Sequence, residues 1–187
     1  MYETSGFGEN AKIQLRYLGR GRTAGFDQLR VGPSPGRGLG LFAMQDTYAG
    51  TFVTEYCGEL KNEKDAKKMM DDGTDTHILG LSPMFVCIDG SIHGQFDMEW
   101  YCGGGGHRAG SFCNASLDGG QNCEYVILDI PDKHNHDQSY DWNICSKSWE
   151  STGYNKRAFI RTTKFVACGR EYFCGYGRGY YGRHGLS

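Results

Sequence analysis

Apolar residues recur along the chain in short blocks broken by glycine and polar stretches. Residues 50–60, GTFVTEYCGEL, combine β-branched and aromatic side chains and read as a strand. HILGL (77–81) and MFVCID (84–89) read as two strands of a hairpin turning at Ser82-Pro83. CEYVILDI (123–130) predicts a buried strand, and further short strands are expected at 158–168 and 170–174, around Gly169. Ile13 to Leu18 suits a short strand or one helical turn. One segment, KNEKDAKKMMDD (61–72), predicts a helix, and its mixed charges mark a solvated face. The four consecutive glycines of 96–108 favour a loop, and the polar stretch 131–157 reads as a long insertion.

Composition sharpens this picture. The 187 residues suit one domain, or one domain with a large insertion. They include 29 glycines, roughly twice the usual ~7% share. Long helices are therefore disfavoured, and a mostly β chain of short strands and tight turns is expected. At 39% hydrophobic and 22% charged residues a packed core is expected. The formal charge of −2 argues against a nucleic-acid binder that relies on a global positive field. No apolar run reaches the ~20 residues of a membrane span, and the start of the chain lacks a signal-peptide core. A protein that is neither membrane-bound nor secreted is expected. None of the eight cysteines forms a C-x-x-C pair or a zinc spacing, so small buried thiols in a reducing compartment are expected, with no metal. His134 and His136 beside Asp132 and Asp137 read as a polar loop. Cys102 has only His107 as a nearby base and does not read as a nucleophile.

Five separated segments carry the candidate chemistry. They are Gly38-Leu39-Gly40-Leu41-Phe42-Ala43, Gly50 to Glu59, Ile88 to Gln95, Ala109 to Ser116, and Cys168 to Gly177. In this order they resemble the motifs of SET-domain protein-lysine methyltransferases. The resemblance implies a β-clip fold of several small sheets, few short helices and a knot-like C-terminal segment. It implies a SET domain over 36–177 with inserts at about 61–108 and 128–157, a flanking segment at 1–35 and a Gly/Tyr/Arg-rich tail at 178–187. It further implies transfer of a methyl group from S-adenosylmethionine to the ε-amine of a lysine in a protein, a histone tail first among the candidates, with location in the nucleus or cytoplasm.

By the same resemblance the cofactor lies against Gly38, Leu39, Gly40 and Leu41 and against Phe112, Cys113, Asn114 and Ala115. Tyr176 aligns the amine with the methyl, Tyr56 lines the lysine channel, and Tyr125 joins it. Tyrosine walls suit the task, because the amine must lose a proton and water before it attacks, and because aromatic faces tolerate a methylated cation. Mono- or dimethylation is expected. The chain departs from the family pattern in several places. Ala115 stands for the histidine of N-H-S and Ser111 for the arginine before it. Gly94-Gln95 stands for G-N, and His77 lies where many members place a channel aromatic. The zinc-binding segment after the last tyrosine is absent. Two other readings accompany this one. One is a non-catalytic module that binds histones or other proteins. The other is RNA binding through the tail, with Tyr180, Tyr181, Arg178 and Arg183 stacking on bases.

Overall fold

A computed structural model describes residues 29–56, 58–81, 86–91, 109–116, 119–129 and 156–176. The expectations at 13–18, at Gly94-Gln95, for the tetraglycine loop and Cys102, for His134 and His136, and for the tail lie outside these residues.

The chain is mostly strand. A first hairpin joins β1 (Leu29–Ser34) to β2 (Gly38–Ala43), with Ser34 opposite Gly38. Its turn needs left-handed backbone at Gly36 and Gly38, which glycine adopts without strain. β1 begins before residue 36, so this hairpin straddles the flank and the domain as drawn from sequence. Pro33 costs no ladder bond that matters, since β1 is an edge.

The strand expected at 50–60 divides into β3 (Phe52–Tyr56) and β4 (Glu59–Lys61). At Gly58, an added Cβ would sit 2.0 Å from the Asp89 carbonyl oxygen, so a backbone crossing separates the two strands. β4, β5 (Ile78–Leu81) and β6 (Val86–Asp89) form an antiparallel sheet in the order β4-β6-β5. The expected helix is α1 (Glu63–Asp71), which begins where Asn62 accepts a hydrogen bond from the Asp65 amide at 3.0 Å. It buries only Ala66, as mixed charges on a solvated face require.

The larger sheet has the order β3-β9-β8-β10-β7, with β7 (Asn114–Ala115), β8 (Cys123–Asp129), β9 (Lys156–Thr162) and β10 (Phe173–Cys174). β3, β9 and β8 pair antiparallel, whereas β10 runs parallel to both neighbours. With two residues, β10 holds few ladder bonds, and Asn122 makes up the deficit. Its side chain donates to the Glu171 carbonyl at 2.9 Å and accepts from the Phe173 amide at 2.8 Å. Strand β9 ends at Thr162, short of the expected 168, and the chain returns beside Thr47 through paired hydrogen bonds with Val166.

One core cluster lies between the hairpin and the large sheet and contains Leu41, Val53, Cys113, Ile160, Tyr172 and Cys174. A second contains Tyr56, Leu81, Ile88 and Ala158, and Tyr125 packs against both. Three thiols meet in the first cluster. Cys113 and Cys174 are 3.4 Å apart, Cys123 is buried with them, and all three are free. Burial pushes the Cys113 and Cys174 thiols up, which keeps them protonated and unreactive. Among the described residues no helix is long and apolar enough to cross a membrane.

The Tyr172 hydroxyl is 2.8 Å from Thr47 Oγ1. Burial pushes it up to about 12, against the opposing pull of that hydrogen bond. The unfolded chain gives up this proton first, near pH 10, so stability falls as pH rises from about 10 to 12. Two pH units correspond to about 3 kcal/mol. Urea midpoints across this range are expected to fall more steeply in the wild type than in Tyr172→Phe. Equal slopes would remove Tyr172 from the alkaline transition.

Candidate active site

Three tyrosines from distant segments converge. Tyr56 ends β3, Tyr125 lies on β8 and Tyr176 follows β10 by two residues. The Tyr56 and Tyr125 rings are edge to face at 5.8 Å, and those of Tyr125 and Tyr176 are tilted at 6.1 Å. They line a cavity of about 270 Å³. The region expected as an insert contributes to the same lining through Met70 of α1, Thr76, Ile78 to Gly80 of β5 and Cys87 of β6.

Each outer tyrosine is fixed by a backbone carbonyl. Tyr56 donates its hydroxyl proton to the His77 carbonyl at 2.8 Å, an oxygen that also accepts from the Gly90 amide at 2.9 Å. Tyr176 donates to the Cys113 carbonyl at 2.5 Å. Two glycines allow this packing. An added Cβ at Gly90 would lie 2.9 Å from the Tyr56 hydroxyl, and one at Gly110 would lie 2.6 to 2.8 Å from the backbone of Glu55 and Tyr56. Burial pushes the Tyr125 and Tyr176 hydroxyls well above the usual tyrosine value, with Tyr176 adding to the shift of Tyr125 and a hydrogen bond with Tyr125 opposing that of Tyr176. Both are therefore neutral at any physiological pH and act as hydrogen-bond partners, not as bases.

Next to Cys113, the Asn114 side chain donates to the Leu39 carbonyl at 2.9 Å and to Glu171 Oε1 at 2.8 Å. The other Glu171 oxygen accepts from Ser34 Oγ at 2.9 Å. Gly40 makes the approach fit, since a Cβ there would lie 2.2 Å from Glu171 Oε1. The glycine strand β2, Asn114 and the Tyr176 hydroxyl thus belong to one continuous set of contacts.

The eight residues expected at a cofactor divide by environment. The side chains of Leu41, Phe112 and Cys113 are in the core and leave only backbone to a ligand. The Leu41 carbonyl is itself engaged by the Tyr172 amide at 2.8 Å. Leu39 and Ala115 are half-buried, and Ala115 pairs with Cys174 across β7 and β10. Gly38 is exposed, and an added Cβ would meet nothing within 4 Å. The surface of β2 is open at that position.

Several participants were singled out in the sequence without a role of this kind. Glu171, inside the Cys168 to Gly177 segment, links β1 and β7. His77 contributes its carbonyl to the channel, while its ring shares a hydrogen bond with Thr76 Oγ1 at 2.9 Å. Asp71 and Asp72 are exposed between the cavity residues Met70 and Thr76, whereas Asp75 is buried. Ser111 Oγ is buried without a hydrogen-bond partner among the described residues. No cluster among them is fit to hold a metal ion.

The sequence was compared with known proteins. A family model described as the SET domain matches residues 38–177, about three quarters of the chain. That span includes Gly38, Asn114 and all three cavity tyrosines. No curated protein matches the sequence.

Proposed function

The chain belongs to the SET-domain family, and from that premise we propose that it transfers a methyl group from S-adenosylmethionine to the ε-amine of a lysine in a protein, with a histone tail as the first substrate to test. The observation that carries this reading is the convergence of Tyr56, Tyr125 and Tyr176 on one cavity, with Tyr176 bonded to the segment that ties Asn114 to β2.

Gly38 to Leu41 and Asn114 to Ala115 would hold the cofactor, mainly through backbone groups. Bound there, S-adenosylmethionine supplies an electrophilic methyl group on a sulfonium. The rest is positioning by the chain itself. The apolar walls disfavour the ammonium form of an entering lysine, so the amine sheds its proton more readily than in water. Tyr56 and Tyr176 give their own protons to backbone carbonyls, so toward an amine each phenol oxygen acts as an acceptor, that of Tyr176 alongside its hydrogen bond with Tyr125. A neutral amine has two N–H donors and one lone pair. Two fixed acceptors take the donors, and the lone pair is then oriented for in-line attack. The exposed Asp71 and Asp72 beside the cavity favour a basic peptide.

Incubation with methyl-labelled cofactor and core histones tests the reading. Label is expected in lysine, as mono- and dimethyl product by mass spectrometry. Ala115 in place of the family's histidine favours the alternative of a non-catalytic binding module. Histone binding without any transfer of label would decide for that alternative.

A further inference from the structure

We propose that Gly80 opens a subsite for an aliphatic side chain next to the target lysine, and that its missing side chain makes the protein select lysines with such a neighbour. The proposal rests on the methyl-transfer reading of the same cavity.

Gly80 lies inside strand β5, directly opposite Cys87 of β6. A glycine in a strand interior is less stable there than alanine. Elsewhere in the molecule the local geometry explains such a choice, through positive φ at Gly38 or a backbone clash at Gly58 and Gly110. Gly80 has neither reason. Its φ lies outside the left-handed region, and an added Cβ would meet nothing within 4 Å. It does, however, line the cavity. A strand glycine of this kind marks a place that something else approaches closely.

The lining indicates what approaches. With the tyrosines assigned to the amine, Met70, Ile78, Leu79 and Cys87 are the residues that line the cavity together with Gly80. Among the described residues no charged side chain lines that part of the cavity. The Cys87 thiol is pushed up by burial and stays neutral. An aliphatic side chain gains most from such a lining, and an acidic one would lose its hydration there with only the exposed Asp71 and Asp72 nearby.

The test compares peptides in which the residue on either side of lysine is Leu, Gly or Asp, with the full chain and with Gly80→Ala and Gly80→Val. The wild type is expected to favour a Leu-flanked peptide over the Gly-flanked one by tenfold or more in kcat/KM, and over the Asp-flanked one by more. The Leu-to-Gly ratio is expected to fall stepwise from Gly80 to Ala to Val. A wild type indifferent to the neighbour, or a ratio that Gly80→Val leaves alone, overturns the proposal. If no peptide is methylated, the methyl-transfer reading fails, and the same ratios are measured by equilibrium binding. A Leu preference in binding that Gly80→Val abolishes supports the subsite, and its absence overturns it.

Discussion

Tyr176→Phe is expected to lower kcat about a hundredfold, the loss that follows removal of one preorganised polar group at a reacting centre. The substitution keeps the ring against Tyr125 and removes only the hydroxyl that bonds the Cys113 carbonyl. One of the two acceptors proposed to orient the amine disappears, and a hundredfold loss corresponds to about 3 kcal/mol of barrier. Cofactor affinity is expected to change less than about threefold, because the Asn114 contact with Leu39 does not involve Tyr176. Folding stability is expected to fall by about 1 kcal/mol for the lost hydrogen bond. Single-turnover rates and calorimetry separate these quantities. A variant with undiminished kcat would remove the hydroxyl from the reaction. Because burial holds the Tyr125 and Tyr176 hydroxyls well above their usual value, a rise in rate between pH 7 and pH 10 would report the substrate amine and not these groups.

Gly110→Ala is expected to cost about 3 kcal/mol of stability, the upper part of the usual range for overpacking. The new methyl group would lie 2.6 Å from the Glu55 carbonyl oxygen, 2.7 Å from the Tyr56 Cα and 2.8 Å from the Tyr56 nitrogen. All three are backbone atoms of a buried strand and cannot rotate aside. β3 must shift or the 3-10 turn Gly110–Phe112 must lift, and either movement disturbs Tyr56 and Cys113 together. Urea midpoints with unchanged slope would measure the loss. Gly80→Ala is the internal comparison, since its methyl group enters open space. Equal midpoints for wild type and Gly110→Ala would show that this crossing yields easily.

The sequence made the local elements readable where local chemistry decides them. Asn62 and the charge pattern after it specify α1, and the apolar blocks around Ser82-Pro83 specify the β5-β6 pair. β8 follows from its run of apolar residues. The two-residue strands β7 and β10 could not be read this way, because long-range parallel pairing defines them and no periodicity precedes it. Gly40, Gly58 and Gly110 carry no local signal of their neighbours, and each admits an atom that lies far off in sequence. The same limit hid the role of Glu171, whose partners Ser34 and Asn114 lie 137 and 57 residues away. Motif order singled out the tyrosines, but the rest of the cavity lining, from Met70 to Cys87, carries no motif and emerged only from the packing.

The placement of β10 between β7 and β8 bears on how the protein is made. During synthesis Asn114–Ala115 and Cys123–Asp129 leave the ribosome long before Phe173–Cys174, and among the described strands β7 has no lateral neighbour but β10. Contacts of such wide sequence separation form late and slowly. The nascent chain therefore carries an open seam between β7 and β8 until β10 arrives, and it is in that interval, more than in the finished molecule, that chaperones and proteases would act on it.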